Sequence, residues 1–253
     1  MRRFFLLISL PLLLCVSCHP AEKTGSLTLD FVTQVGNQSV VYHTLQYENA
    51  AGNTYQIDEV RYFISHVKLY AATGKVVAIE DHAGLHYYDS NIPSTFSWTI
   101  SDELSEGQYD SISFVVGLLP EQNVTGYFVN PPENNMAWPE VLGGGYHYMQ
   151  INGKWLNIND SIQPFNLHTG IGQTYENGQV VQFVDNSFEV KLALKDLQIE
   201  SGAMAQRTLV MNVNNWFTSP HVYDFNVWGG AIMQNQSAQQ TLRENGHDVF
   251  TIR

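Results

Sequence analysis

The 253-residue sequence predicts a mainly β fold, an antiparallel β-sandwich with a short C-terminal helix. Short runs of alternating apolar and polar residues recur along the chain, bounded by Gly, Asn, Pro or Asp, which is the pattern of half-buried strands joined by turns. Only Ala231–Asn245, rich in Gln, Ala, Leu, Arg and Glu and followed by Gly246, has the composition and ending of a helix. Hydrophobic residues make up 44% of the chain and charged ones only 14%, enough apolar side chain for one substantial core.

Residues 1–17 read as a lipoprotein signal peptide. Arg2 and Arg3 precede the apolar run Phe4–Val16, which is too short to span a bilayer, and Ser17-Cys18 closes it. Cys18 is the expected lipidation site, which predicts a cell-envelope protein lipid-anchored to the outer membrane. Cys15 and Cys18 are the only cysteines, so the domain that follows has neither a disulfide nor a thiolate metal site. The formal charge of −12 becomes more negative once Arg2 and Arg3 are removed, which disfavours nucleic acid and anionic membrane surfaces as partners.

Residues 18–26 read as a tether and 27–253 as one domain. Leu27–Val35 alternates through Leu27, Leu29 and Phe31, turns at Gly36-Asn37-Gln38, and returns as Ser39–Tyr47 with His43 facing solvent. Val60–Leu69 is a second alternating run, with Lys75–Glu80 as its hairpin partner. His66 shares a face with Lys68 and is a lesser metal-ligand candidate. Asp81–Tyr88, with His82 and His86, reads as a solvated loop, and Ile100–Gln108 as an acidic polar stretch. Tyr109–Leu118 is a clear strand. Gly117–Pro132 is a long connection rich in Pro, Asn and Gly, a kind of loop that often carries function. Gln163–His168, Val180–Phe183, Phe188–Leu194 and Thr208–Trp216 read as strands, Gly170–Asn177 as loop, and Ser219–Trp228 as irregular.

The chain is organised around Asn134–Asn152, NNMAWPEVLGGGYHYMQIN. Three consecutive glycines suit a sharp bend or the close approach of another group. Tyr146–Ile151 then alternates, Asn152-Gly153 carries the strongest short hairpin signal, and Lys154–Asn159 returns. This phase puts His147, Met149 and Ile151 on one face. In Gln163–His168, Asn166 and His168 face away from Phe165 and Leu167. His147, Met149 and His168 are residue types that suit a soft, low-coordinate ion such as Cu(I), with affinity expected to fall as pH drops through the ordinary histidine range.

The order Met136-Ala137-Trp138-Pro139, then GGGYH, then Phe165-Asn166-Leu167-His168-Thr169-Gly170 resembles the MbnP family, secreted copper-binding proteins named for members associated with methanobactin. Val60–Tyr70 resembles the family's early strand, and Met211–Asn226 and Gly229–Phe250 resemble the ending of a lipoprotein branch. The resemblance implies copper as the bound metal. It also implies a tryptophan oxidised to kynurenine by a partner di-haem peroxidase-like enzyme. Trp138 matches that position, although Pro139 follows it and no second Trp stands two residues on.

A metal-free envelope module for glycan or protein is the alternative, with Trp98, Trp155, Trp216 and Trp228 as stacking platforms. Catalysis finds little support in the motifs: Glu140 and Asp160 flank the central stretch, but paired carboxylates are common by chance. There is no GxSxG, and the glycines at 143–145 precede a strand rather than the helix a phosphate loop needs. The expected role is storage, delivery or sensing of copper by a protein that is not an enzyme.

Overall fold

A computed structural model describes residues 22–253. The leader and Cys18 lie outside the described residues. The strands are β1 (Thr24–Val35), β2 (Gln38–Ser39), β3 (Tyr47–Glu48), β4 (Thr54–Ala71), β5 (Val76–Ala78), β6 (His86–Asp89), β7 (Ser97–Ser105) and β8 (Gly107–Val116). They continue as β9 (Met149–Leu156), β10 (Ile162–Thr169), β11 (Ile171–Glu176), β12 (Gln179–Asp185), β13 (Phe188–Ile199), β14 (Met204–Asn212) and β15 (Phe250–Ile252). Two helices, α1 (Phe225–Trp228) and α2 (Gln236–Asn245), fall between β14 and β15. No described helix is long and apolar enough to cross a membrane.

The architecture is a mainly β sandwich with a short C-terminal helix, as the alternation predicts. One sheet runs β15-β14-β1-β2, with β7 also on β1; the larger runs β10-β9-β4-β8-β13, with β3, β5 and β6 on β4. The sheets are antiparallel except that β1 and β14 run parallel, from Ser26 opposite Met204 to Gln34 opposite Asn212. A parallel pair needs a long crossover, and here most of the chain, including the whole larger sheet, intervenes. Leu27, Leu29 and Phe31 of β1 pack in one buried cluster with Ile64, Leu69, Ile112, Phe114 and Val190 of the larger sheet. Each such side chain contributes about 2 kcal/mol by leaving water.

β4 is buried on both faces, which explains its nearly continuous apolar sequence. Tyr62 and Ile64 join the main core, whereas Phe63 joins a second cluster with Leu85, Tyr87, Leu118, Met136, Tyr146 and Tyr148. The connection from Gly117 to Tyr148 therefore covers the outer face of the larger sheet, and this cover carries Trp138 and His147.

Several sequence expectations are corrected. Asn152-Gly153 is not a turn: β9 runs through both residues to Leu156, and the hairpin closes at Asn157–Ser161. A Cβ on Gly153 would stand 2.1 Å from the Gln56 carbonyl oxygen, so the glycine serves close strand approach. The first strand begins at Thr24, inside the expected tether. Ser39–Tyr47 contributes only the ends of two short strands, and His43 adopts φ +59. Ile100–Gln108 falls in β7 and the start of β8, and Gly170–Asn177 contains β11. The helix starts at Gln236 rather than Ala231, because Ala231 forms a bridge to Asn166 of β10 and Asn235 caps the helix by accepting from the Ala238 amide. Gly246 is right-handed, and the chain continues there into a short 3-10 turn.

Candidate metal centre

The triple glycine builds the local frame. Ala137 and Tyr146 form an antiparallel bridge, the Trp138 amide donates to the Gly145 carbonyl (2.8 Å), and the His147 amide donates to the Met136 carbonyl (2.7 Å). Closing so tight a loop takes Gly143, Gly144 and Gly145 through φ +115, +67 and +79, a region that side chains rarely tolerate. A Cβ on Gly145 would also meet the Asn123 carbonyl at 2.7 Å. Trp138 and His147 thereby become neighbours across a two-stranded clip.

Trp138 is buried. Its indole N–H donates to the Leu142 carbonyl (3.1 Å), and its ring covers Gly170, where a Cβ would stand 2.8 Å from Cε3. The rings of Trp138 and His147 meet edge to face, centroids 4.7 Å apart. His147 in turn meets His168 at 4.9 Å with planes at 88°. Three residues separated by 30 positions in the chain thus form one contiguous group.

The hydrogen bonds assign both imidazoles. His147 Nδ1 lies 2.8 Å from the Met136 carbonyl, which can only accept, so Nδ1 carries the proton. Nε2 of His147 is buried and has no partner. His168 Nε2 lies 2.8 Å from Asn152 Oδ1, and the Asn152 amide is oriented by its Nδ2 donating to the Glu59 carboxylate (2.9 Å). Nε2 of His168 therefore carries the proton and Nδ1 the lone pair. Burial pushes the His147 imidazole down to about 4. Burial, the neighbouring His147 and the Arg61 guanidinium push His168 down to about 3. Both rings are neutral at neutral pH and each offers one unprotonated nitrogen. His168 also borders a pocket of about 440 Å³ lined by Pro139, Val141, Leu142 and Met233.

Met149 and His66 do not join this group. Met149 is fully buried in the main core, because the strand begins at Met149 itself and the alternation assumed for His147 does not extend back to it. His66 sits at a bulge in β4 with φ +54, beside the Asp81–Gly84 turn, and among the described residues it makes no ring contact or hydrogen bond with either histidine. His86, read as solvated, is half-buried and stacked between Phe31 and Trp98. Trp98, Trp155 and Trp216 are buried, so they present no face on which a sugar could stack. Among the described residues, no three His, Cys, Asp or Glu side chains gather around a common point, so the group is a two-histidine one.

The residues that sequence reasoning missed lie behind His168. Arg61 pairs with Gln150, and Gln150 with His168, across β4, β9 and β10; Glu59, Asn152 and Asn166 follow in the same register two positions on. Their opposite-phase neighbours Val60, Ile151 and Leu167 are core. The three polar alternations, Glu59/Arg61, Gln150/Asn152 and Asn166/His168, were readable in the sequence once the strands were paired.

The MbnP family model matches residues 24–235. Among solved structures, MbnP from Methylosinus trichosporium superposes with a TM-score of 0.57 at 14% identity, covering 91% of this chain and 98% of that one. No curated protein matches.

Proposed function

Since the chain belongs to the MbnP family, we propose that it is an extracytoplasmic copper-binding protein that holds one ion, as Cu(I), between Nε2 of His147 and Nδ1 of His168. The observation that carries this reading is the buried, unpartnered Nε2 of His147, in a ring 4.9 Å from a second neutral imidazole. An unsatisfied nitrogen in a dry site costs about 1–3 kcal/mol unless something binds it. Two imidazoles without a thiolate or a contacting carboxylate form a donor set for a soft-to-borderline ion of low coordination number. Fixed tautomers leave both lone pairs ready without prior deprotonation.

Trp138 is the third member of the reading. Its ring already touches His147, so oxidation to kynurenine would place a new amine and a ketone beside the ligand pair. A di-haem peroxidase-like partner is the proposed oxidant. Met149 has no place in this site. The leader supports anchoring of the domain to the outer membrane through Cys18. Such a protein stores, delivers or senses copper and performs no catalysis.

The test is metal analysis of protein purified from its native envelope, followed by Cu(I) chelator competition. The reading expects one copper per chain, lost in His147→Ala and in His168→Ala.

A further inference from the structure

Behind His168 stands a chain of groups that the copper reading alone does not require. Nε2–H of His168 donates to Asn152 Oδ1 (2.8 Å), and Asn152 Nδ2 donates to Glu59 Oε2 (2.9 Å). Glu59 Oε1 accepts from Arg61 Nη2 and from Asn91 Nδ2 (2.6 Å). Arg61 is held on its other side by Asp89 (Nε to Oδ2, 3.1 Å) and by Gln150 (3.3 Å). Asp89 is itself buried and accepts from the Tyr87 hydroxyl (2.9 Å). All of these side chains project from the outer face of three paired strands, or from the β6 edge and the turn after it, so rigid backbone fixes their spacing.

The orientation of this chain has a direction. A carboxylate only accepts, so Glu59 forces the Asn152 amide to present its NH2 to the carboxylate and its oxygen to His168. The oxygen in turn accepts only from a protonated Nε2. We propose that Asn152 and Glu59 are positioning residues that lock His168 in its Nε2–H tautomer, so that Nδ1 is the atom it offers to copper. The claim rests on the copper reading for its purpose but not for its geometry. His147 is locked independently, and in the opposite sense, by the Met136 carbonyl. The pair is thereby made asymmetric: one ring binds through Nε2 and the other through Nδ1. Without Asn152 nothing holds the proton on Nε2 of His168, and a share of the protein would present a proton on Nδ1, where the metal must sit. Loss of such an outer partner lowers metal affinity by about 10- to 100-fold in general.

The experiment has two arms on the full mature domain. Nitrogen-15 imidazole spectra of the metal-free protein report each tautomer without reference to copper. Wild type is expected to show Nε2–H at His168 and Nδ1–H at His147. Asn152→Ala is expected to give mixed tautomers at His168 with His147 unchanged. Asn152→Asp alone would set a second carboxylate against Glu59, so the control is the paired swap Asn152→Asp with Glu59→Gln, which keeps one carboxylate in the pair and an oxygen facing Nε2. It is expected to retain the lock and guards against a merely structural effect. In the second arm, Cu(I) affinity by chelator competition is expected to fall about 10- to 100-fold in Asn152→Ala and to persist in the paired swap Asn152→Asp, Glu59→Gln. A wild-type spectrum with Nδ1–H at His168, or an unmixed tautomer in Asn152→Ala, overturns the lock and leaves the copper reading standing. Unchanged copper affinity in Asn152→Ala, when His168→Ala has lost binding, overturns the positioning role. Unchanged affinity in His168→Ala itself overturns the copper reading, and the inference falls with it.

Discussion

The indole of Trp138 and the imidazole of His147 meet edge to face at 4.7 Å, although they stand nine positions apart in the chain, because a triple-glycine loop folds one back beside the other. This contact ties Trp138 to the histidine whose Nε2 is buried without a partner. Replacing Trp138 with Phe removes the indole hydrogen bond to Leu142 and any product of indole oxidation. Stability is expected to fall by about 1 kcal/mol, measured by urea unfolding. Relative to wild type from the native host, whose intact mass should match kynurenine at residue 138, the Cu(I) affinity of the variant is expected to fall at least about tenfold. An unmodified Trp138 with undiminished copper binding would remove this residue from the site.

Protonation gives a second prediction. His147, His168 and His86 are each held below the ordinary histidine value, chiefly by burial, at about 4, 3 and 4. Below pH 6.5 the unfolded chain therefore binds protons that the folded chain refuses. The stability these rings allow is present above the ordinary range and is lost as pH falls toward 4. Between pH 7 and pH 5 the expected loss is about 2 kcal/mol per buried imidazole. Chemical unfolding at the two pH values checks it, and a flat profile would contradict the neutral, buried state of these rings.

The same values revise the expected pH dependence of binding. A proton competes with copper only where the free site takes one up, which is near pH 4 rather than pH 6.5. Affinity measured by chelator competition is expected to change little between pH 7.5 and 5.5. A tenfold fall per pH unit across that range would mean that the free histidines are solvated.

Much of this was legible in the sequence, and the failures have physical causes. The long alternating runs gave the strands of the sandwich, and Asn166/His168 against Phe165/Leu167 gave the correct face for His168. Asn152-Gly153 misled because its local turn preference is overridden by pairing on both sides: β4 and β10 hold it extended, and the glycine is needed where the Gln56 carbonyl approaches. Met149 misled for a related reason. A period of two assumes one continuous strand, but the chain at His147 is held by Met136 in the loop clip and enters β9 only at Met149. Asn152 and Glu59 were invisible as site residues because their role depends on strand register, which a single sequence does not reveal.

Gly153 allows a direct check of the corrected hairpin. Gly153→Ala places a methyl 2.1 Å from a carbonyl oxygen and against the Phe165 ring, and should cost about 3 kcal/mol or more. At a solvent-facing turn the same change would be far milder, so a loss under about 1 kcal/mol would argue against a continuous β9.

Anchoring is testable apart from the metal. Cys18→Ala is expected to move the protein from the detergent phase to the soluble periplasmic fraction, since the acyl chains would have no other attachment point. Persistent partitioning into detergent would refute the lipoprotein assignment.

The central claim is that His147 and His168 together hold one copper ion, and Cu(I) chelator competition on wild type and on the double variant His147→Ala, His168→Ala tests it most directly. The account predicts one tightly held ion per wild-type chain and none in the double variant, with His66→Ala behaving as wild type and circular dichroism unchanged in all three. Wild-type affinity in the double variant would contradict it and place the metal elsewhere on the protein.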